Sequence, residues 1–235
     1  MPFSFPARLY PIIDTLGDPH RSHLDLARAV LAAGTPLLQL RVKDEPTRRF
    51  VELGRAIQME AGRHGAVLLI NDRADIAKLV GAAGVHLGQD DLPVRAARDI
   101  LGPHAIIGFS THTLAQAEAA AHDGLANYLG FGPIYATTSK HNPDPVQGLD
   151  GLRAARRRVQ MPIVAIGGIT AATMADVLGS GADAVAMIGD IVRADDVTGT
   201  VRALLERCRV SSGPALAVPH FRSVSLICYR RDTEN

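Results

Sequence analysis

Eight short apolar runs recur along the chain and are separated by longer segments rich in alanine and leucine. Strands of a parallel sheet are buried on both faces and therefore read as continuous apolar runs, whereas the helices that cover them are amphipathic. The alternation therefore predicts consecutive βα units. The runs cover residues 9–13, 37–41, 67–70, 85–87, 106–108, 128–130, 163–166 and 184–187.

The segments between the runs show the pattern of helices that pack on a sheet. Apolar residues recur at helical spacing in segments 24–33, 48–63, 94–101 and 114–122. A glycine follows each of them within two residues, as glycine often does at helix C-termini. Eight such units favour an α/β fold of the closed (β/α)8 TIM barrel type, which commonly occupies about 250 residues in one domain. A doubly wound open sheet is the alternative that this pattern leaves open.

The eight units end near residue 210, so we expect residues 1–210 to form a single catalytic barrel domain. Residues 211–235 lie outside the eight-unit count. We expect this C-terminal tail to be poorly ordered, because chain ends rarely pack unless other contacts hold them.

The overall charge favours no strongly charged partner. Lys and Arg number 25 and Asp and Glu number 24, a net charge of +1, which favours neither nucleic acid nor an anionic membrane surface.

No segment approaches the roughly 18 apolar residues of a membrane span, and the N-terminus lacks the long apolar core of a signal peptide. The two cysteines, Cys208 and Cys228, form no metal-ligand spacing. We therefore expect a cytoplasmic protein with small-molecule ligands, and a homo-oligomer is compatible with these features.

Polar side chains cluster where the second predicted strand ends. Gln39, Arg41 and Lys43 alternate with Leu40 and Val42, so an extended chain places the three polar groups on one face. In a barrel, that face lies inside the mouth formed by the carboxyl ends of the strands. Two cations and an amide suit a polyanion such as pyrophosphate, whereas an edge strand with solvated charges is the competing interpretation.

Two carboxylates follow the third and fourth predicted strands. Asp72 comes directly after the first of these, beside Asn71, and Asp91 follows the next. Because neighbouring parallel strands end at the same rim, the two carboxylates could share a cation, and oxygen ligands of this kind suit Mg²⁺. The alternative is that each aspartate caps the helix that follows it.

A long loop after the sixth strand is patterned like a lid. It runs from Gly130 and contains glycines and a proline before Thr137, Thr138, Ser139 and Lys140. Hydroxyl groups and a lysine that close over phosphates would exclude water and hold a leaving group. A flexible surface loop is the alternative interpretation.

The last two strands end in glycine. Gly167 and Gly168 follow the seventh run, and Ile188 and Gly189 follow the eighth. Many barrels bind a phosphate with backbone amides at this position, and glycine lets the anion approach the backbone. A tight structural turn is the competing reading.

Three further features carry no predicted role in catalysis. His86 and His112 lack metal-ligand partners at a recognisable spacing, so we expect packed or solvated imidazoles. The run Arg156 to Arg158 lies in a predicted outer helix, and we expect it to be a solvated face.

Taken together, these segments resemble the thiamine phosphate synthase family over about the first 205 residues. Six pieces in order carry the resemblance. They are Gln39-Leu40-Arg41-Val42-Lys43, Asn71-Asp72, His86-Leu87-Gly88-Gln89-Asp90-Asp91, Gly108-Phe109-Ser110-Thr111-His112-Thr113, Gly132-Pro133-Ile134-Tyr135 and Gly167-Gly168-Ile169.

The resemblance implies the role of each group of residues. A pyrimidine pyrophosphate would be held by Gln39, Leu40, Arg41, Val42, Lys43, Asn71, Ser110 and Lys140. Among these, the catalytic residues would be Arg41, Lys43, Ser110 and Lys140. Asp72 and Asp91 would bind one Mg²⁺ per subunit. A thiazole phosphate would be held by Thr137, Thr138, Ser139, Gly168, Ile188 and Gly189.

The resemblance also implies the reaction. Pyrophosphate leaves first, a pyrimidinylmethyl cation forms, and the thiazole nitrogen captures it to give thiamine phosphate, so no protein nucleophile is needed. Two positions depart from the family pattern, since threonine is usual where Ser139 stands and serine is common where Gly189 stands. Ser139 keeps the hydroxyl group, whereas Gly189 loses a side-chain contact to the phosphate.

Two other functions are alternatives. A related barrel could act as a thiazole tautomerase or as a regulator that binds thiamine precursors, but it would not need Arg41, Lys43, both aspartates and Lys140 together. A sugar-phosphate isomerase or epimerase would use a general base or metal-bound histidines, and the sequence shows no matching set. The fold cannot separate these functions, and only the site can.

Overall fold

The computed structural model describes residues 5–15, 18, 20–43, 45–137 and 144–210, and within them the chain forms a closed barrel of eight parallel strands. The strands pair in sequence order, and β1 closes the barrel by pairing with β8, with Leu9 opposite Val185. The predicted barrel is therefore confirmed and the open-sheet alternative is wrong. The strands are β1 (Leu9–Ile13), β2 (Leu37–Leu40), β3 (Val67–Asn71), β4 (Gly84–Leu87), β5 (Ile106–Thr111), β6 (Tyr128–Phe131), β7 (Ile163–Ala165) and β8 (Ala184–Met187).

Helices cover the outside of the barrel, and most lie between consecutive strands. Ser22 caps the first of them by accepting a hydrogen bond from the Asp25 amide, and Thr113 does the same for the fifth at the Gln116 amide. The helices are α1 (His23–Ala32), α2 (Thr47–Arg63), α3 (Ala74–Val80), α4 (Val94–Leu101), α5 (Leu114–Asp123), α6 (Gly148–Arg158), α7 (Met174–Gly179), α8 (Gly189–Val192) and α9 (Val197–Val210).

The strands match the predicted runs except at their ends, and the largest difference bears on the site. β5 continues to Thr111 instead of ending at residue 108, because Ser110 and Thr111 still pair with Gly130 and Phe131 of β6. The two hydroxyl residues interrupt the apolar pattern without interrupting the backbone pairing. Ser110 is therefore part of a strand and not of a loop.

Alternation along each strand divides the core into two layers. One side of the sheet packs against the helices in a large apolar cluster that includes Leu40 and Val42. The other side fills the barrel interior. Its fully packed residues are Tyr10, Leu37, Leu69, Ile106, Tyr128, Val164, Ala184 and Ala186.

The arginine run in α6 corrects one expectation. Arg157 and Arg158 are exposed, as predicted for a solvated face. Arg156 is partly buried, donates to the carbonyl oxygens of Val159 and Met161, and forms an ion pair with Asp183 at 2.9 Å. Carbonyl groups at the end of a helix attract a guanidinium group, so this residue holds the connection between α6 and β7 together.

The lid residues Thr138, Ser139 and Lys140 and the tail 211–235 lie outside the described residues, so the predictions made for them stay predictions. Among the described residues, no helix combines the length and apolar character needed to cross a bilayer. Cys208 in α9 is buried.

Gly84 provides a test of the close packing between β4 and β5. A β-carbon at this position would overlap the backbone of Ile106 in β5, which cannot move without breaking the strand pairing. We expect Gly84→Ala to lower the free energy of unfolding by about 3 kcal/mol, the upper range for overpacking in a core. Thermal and denaturant unfolding measure this change.

The matched control is Gly62→Ala on the exposed side of α2, where an added β-carbon meets no atom within 4 Å. Alanine favours the helix over glycine there, so the stability should stay the same or rise by about 0.5 kcal/mol. Equal stability of the two variants would contradict the packing argument.

Candidate active site at the carboxyl ends of the strands

Polar side chains from neighbouring strands meet at the carboxyl ends of the barrel strands. Beyond the end of β2, the Arg41 amide still donates to the Ile13 carbonyl oxygen at 2.9 Å, so the chain stays extended beside β1. The side chains of Gln39, Arg41 and Lys43 consequently share the inner face, as the sequence predicts. Leu40 and Val42 face the helices and are buried, so only their backbone could contact a ligand.

Each cation of this segment is paired with a carboxylate from a neighbouring strand. Arg41 forms a short ion pair with Asp14, which directly follows β1. The Lys43 Nζ atom lies 2.5 Å from the Asp72 Oδ2 atom, at the end of β3. Because both carboxylates restrain long side chains at the mouth, the two cations are held in place before any ligand binds.

Asp14 is a site residue that the sequence analysis missed. It is only 7% exposed and directly follows β1, so the rule that located Asp72 after β3 would also have located Asp14. A buried aspartate is costly unless it is paired, and here the Arg41 guanidinium group is its partner.

Asp72 and Asp91 lie close together, as the sequence predicts. Burial and a hydrogen-bond contact with Asp72 raise the pKa of the Asp91 carboxyl group above its usual range. Two carboxylates that approach each other in this way repel unless a proton or a cation lies between them. The pair is therefore suited to a divalent cation.

Neither aspartate caps the helix that follows it, so that competing interpretation is wrong. The N-cap residue of α3 is Arg73 and that of α4 is Pro93, and neither cap has a side-chain hydrogen bond. Asp72 adopts a left-handed backbone conformation with φ of 63° and donates its amide to the His86 carbonyl oxygen at 2.7 Å. The Asp91 Oδ2 atom accepts from the Gly88 amide at 2.7 Å.

A chain of hydrogen bonds crosses the barrel interior below this rim. Gln39 Nε2 donates to the Tyr10 hydroxyl group at 2.8 Å, and that hydroxyl lies 3.1 Å from the Tyr128 hydroxyl. The Tyr128 hydroxyl lies 3.0 Å from His86 Nδ1, and His86 Nε2 lies 2.9 Å from Ser110 Oγ. This hydrogen-bond chain thus connects Gln39 on β2 with Ser110 on β5, both predicted to bind a ligand. The three side chains between them were given no role by the sequence analysis.

Two glycines make the space that this chain occupies. A β-carbon at Gly108 would overlap the Tyr128 ring and would lie 2.5 Å from His86 Nδ1. At Gly130 it would lie 3.1 Å from His86 Cε1 and 3.4 Å from Ser110 Oγ. Inward-facing positions in a barrel are normally filled by side chains, so glycine here leaves room for the rings of residues on other strands.

Burial strongly favours the uncharged form of each ring in the chain. Burial is the main reason that the pKa of His86 is lowered to about 4, although the nearby Asp91 partly opposes this shift. Burial likewise raises the pKa of both tyrosine hydroxyl groups. Neutral imidazole and protonated phenols therefore populate the chain at neutral pH.

The first part of the predicted lid is anchored on the glycine loop after β7. The Ile134 amide donates to the Ile166 carbonyl oxygen at 2.9 Å, and the Tyr135 amide donates to the Gly167 carbonyl oxygen at 3.1 Å. Gly167 and Gly168 have φ of 85° and 66°, and β-carbons on them would overlap Pro133 and the backbone of Ala136 respectively. The structure therefore brings the segment leading to Thr137 against Gly168.

His112 attaches the other end of the lid. Its Nδ1 atom lies 2.7 Å from the Gly132 carbonyl oxygen, and its Nε2 atom lies 3.4 Å from the Asp144 Oδ2 atom. The imidazole is buried and thus joins the described residues on both sides of segment 138–143. This agrees with the predicted packed imidazole. His112 in addition holds Gly132 and Asp144 in position relative to each other.

The loop after β8 lies beside the loop after β7. The Asp190 Oδ2 atom accepts from the Ala171 amide at 2.7 Å, which joins the two loops. Ile188 is the N-cap residue of α8, and Gly189 begins the helix. The position of a β-carbon on Gly189 would be 3.0 Å from Arg193 Nη1, so a guanidinium group covers the space that a side chain would fill.

The fold and this rim define a class of protein, namely a (β/α)8-barrel enzyme whose mouth combines restrained cations, a carboxylate pair and glycine loops suited to phosphates. The model of the thiamine monophosphate synthase (TMP-TENI) family matches residues 9–191. The chain belongs to this family and is a transferase of thiamine biosynthesis.

Individual relatives agree with this assignment. A thiamine-phosphate synthase of Chloroflexus aurantiacus is 44% identical over 209 residues, covering 89% of this chain and 96% of that protein. One from Moorella thermoacetica is 46% identical over 198 residues, covering 84% and 94%. The solved thiamine phosphate pyrophosphorylase of Pyrococcus furiosus is 34% identical, with a TM-score of 0.79 over 88% of this chain and 98% of that one.

The burial of His86 predicts a pH dependence of stability. Its pKa is about 6.5 in the unfolded chain and about 4 in the folded protein. Between these values the unfolded chain binds a proton that the folded protein does not, so the free energy of unfolding falls as the pH is lowered through this window. The full contribution, about 3 kcal/mol, is present above pH 6.5.

Denaturant unfolding between pH 7 and pH 4 measures this loss, and a His86→Gln variant serves as the control because it lacks the titrating group. The variant should lose less stability than the wild type over the same range. NMR titration of the His86 imidazole provides the direct measurement, and protonation near neutral pH would refute the predicted shift.

Proposed function

We propose that the chain is a thiamine phosphate synthase. It would condense 4-amino-2-methyl-5-(diphosphooxymethyl)pyrimidine with 4-methyl-5-(2-phosphooxyethyl)thiazole, or its carboxylated form, and release pyrophosphate. One observation carries the proposal, namely that Arg41 and Lys43 are held at the barrel mouth by Asp14 and Asp72, next to the Asp72–Asp91 pair. A leaving pyrophosphate needs cations and a divalent metal in one place, and the alternative functions do not.

The residues at the rim fit one Mg²⁺ per chain. No group of three or more His, Cys, Asp or Glu side chains among the described residues is arranged to hold a metal. Mg²⁺ is commonly bound by only one or two carboxylates, together with water and substrate phosphates, so Asp72 and Asp91 are a sufficient protein contribution. When bound, the ion would neutralise charge that develops on the phosphate oxygens.

The chemical step needs charge stabilisation and no protein nucleophile. The bond between the pyrimidine methylene carbon and the bridging oxygen breaks, and both electrons leave with pyrophosphate. The lone pair of the thiazole nitrogen then forms the new carbon–nitrogen bond. Arg41, Lys43 and Lys140 would stabilise the departing anion, and Gln39, Asn71 and Ser110 would hold the pyrimidine ring.

The thiazole phosphate would bind between the loops after β6, β7 and β8. Thr137, Thr138 and Ser139 would donate hydroxyl groups from the lid, and Gly168, Ile188 and Gly189 would offer backbone amides. The contact of the lid backbone with Gly168 supports this arrangement. Arg193 would supply the side-chain contact that Gly189 lacks.

The proposal includes a cytoplasmic location, which the low cysteine content of the sequence favours, since disulfide-rich chains are typical of oxidising compartments.

A direct test is the release of pyrophosphate by the purified protein. Release should require both heterocyclic substrates and Mg²⁺, and a chelator should abolish it. Release that does not depend on the thiazole phosphate or on the metal would refute the proposal. Isomerisation of a thiazole without release of pyrophosphate would instead support the tautomerase alternative.

Asp72→Asn tests the carboxylate pair with little change in shape. Asparagine tolerates the left-handed backbone at this position, so the variant should fold normally. We expect kcat to fall about 100-fold, the cost of removing one preorganised charge-stabilising group. The control is Asp123→Asn at the exposed C-terminal end of α5, which should leave kcat unchanged.

Arg193→Ala tests the contact near Gly189. The KM for the thiazole phosphate should rise about 10-fold, as expected for loss of one hydrogen bond to a charged group, while the KM for the pyrimidine pyrophosphate stays the same. Adding Gly189→Ser to this variant should recover part of the loss, because the new hydroxyl group occupies the vacated space. Arg202→Ala at an exposed position of α9 is the control, and an unchanged KM for the thiazole phosphate in Arg193→Ala would exclude the contact.

A further inference from the structure

Both ends of the hydrogen-bond chain through the barrel lie in the proposed substrate site. The three inner members, Tyr10, Tyr128 and His86, are buried, with exposed fractions of 1%, 0% and 8%. The outer members, Gln39 and Ser110, lie on β2 and β5 and belong to the proposed pyrimidine site. Buried polar groups that are fully satisfied by one another hold a unique arrangement.

Each link of the chain restricts the next one. Gln39 Nε2 carries only protons, so the Tyr10 oxygen accepts from it. The single proton of Tyr10 is then donated to Tyr128, and the single proton of Tyr128 is donated to His86 Nδ1. A neutral imidazole that accepts at Nδ1 carries its proton on Nε2, which donates to Ser110 Oγ.

The two ends therefore always have opposite roles. With the Gln39 amide oriented in this way, its Oε1 atom remains as an acceptor, and no donor among the described residues of the protein forms a hydrogen bond to it. Ser110 Oγ already accepts from His86, so its own proton remains to be donated. Turning the Gln39 amide over would reverse every proton in the chain and would make Ser110 an acceptor, so one end still accepts while the other donates.

We propose that Tyr10, Tyr128 and His86 are positioning residues that couple Gln39 to Ser110 and thereby select an aminopyrimidine over its 4-oxo counterpart. This inference rests on the proposed function. Gln39 Oε1 accepts from the exocyclic amine, and Ser110 donates to the ring nitrogen that is unprotonated in both heterocycles. The amino compound thus offers one donor and one acceptor, which matches ends of opposite role.

The oxo compound does not match the chain in either direction. Its carbonyl oxygen and the same ring nitrogen are both acceptors, so it needs a donor at each end. The intact hydrogen-bond chain supplies only one donor. Binding of the oxo compound therefore leaves one polar group buried without a hydrogen-bond partner. Such an unpaired group costs about 1 to 3 kcal/mol, which corresponds to about 5- to 150-fold in affinity.

The experiment compares the affinities of two ligands that avoid the chemical step, namely the phosphate monoesters of the 4-amino and 4-oxo hydroxymethylpyrimidines. Calorimetry on the wild type should show tighter binding of the amino compound by at least about 5-fold. Tyr128→Phe removes one link, so Gln39 and Ser110 can both act as donors. In this variant the amino-to-oxo affinity ratio should fall by about 10-fold, chiefly because the oxo compound binds better.

Tyr10→Phe cuts the chain at another link and should lower the ratio in the same direction. The control is Thr111→Val on β5, the strand that also carries Ser110. It removes a buried hydroxyl group that donates to the Gly130 carbonyl oxygen at 3.0 Å and takes no part in the hydrogen-bond chain. It should reduce the melting temperature without changing the ratio. A ratio is unaffected by a general loss of stability, so this readout separates a positioning role from a structural one.

Three results would overturn the inference. They are equal binding of the two ligands by the wild type, an unchanged ratio in a folded Tyr128→Phe or Tyr10→Phe variant, and a His86 proton on Nδ1 in the wild-type complex with the amino ligand, as read from nitrogen NMR shifts. The NMR measurement needs no variant. Failure of the proposed function is distinguishable, because the wild type would then release no pyrophosphate with the amino substrate.

Discussion

Closure of eight parallel strands is the constraint on which the rest of this structure depends. Because all strands run in the same direction, their carboxyl ends meet at one rim, and because side chains alternate along each strand, the inward residues of all eight point into one space. Residues that are far apart in sequence, such as Tyr10 and Tyr128, are thereby brought into contact across the barrel interior. The site is a consequence of the closure.

The barrel interior has to bury polar groups to serve this site, and it does so by pairing them completely. Tyr10 and Tyr128 would be costly in an apolar core if their hydroxyl groups were unpaired. Here each hydroxyl has partners on two sides, and Phe5 packs edge-on against both rings, with ring centres 5.3 Å and 5.0 Å apart. The hydrogen-bond chain is therefore compatible with a stable core, and it links the side chains of the site to buried residues in the barrel interior.

The rim uses the same principle with charges. Arg41 pairs with Asp14 and Lys43 pairs with Asp72, so each of these cations at the mouth has a carboxylate partner, whereas Asp91 lies beside Asp72 as a second carboxylate. A cluster of like charges would repel and would move apart before a ligand arrived. The ion pairs hold the cations in place for an anion, and the adjacent carboxylates Asp72 and Asp91 favour a divalent cation, so both ligands can bind together at one location.

The sequence by itself determined the fold class and the identity of the rim residues. Eight apolar runs, each followed by polar or glycine residues, were sufficient to place Gln39, Arg41, Lys43, Asp72 and Asp91 at one end of a barrel, because strand alternation and parallel direction are local rules. Only the tertiary structure decided which inner residues contact each other. The links from Tyr10 to Tyr128 and from Tyr128 to His86 join strands that are not neighbours, and their geometry depends on barrel closure and on the space left at glycines, which no local pattern encodes.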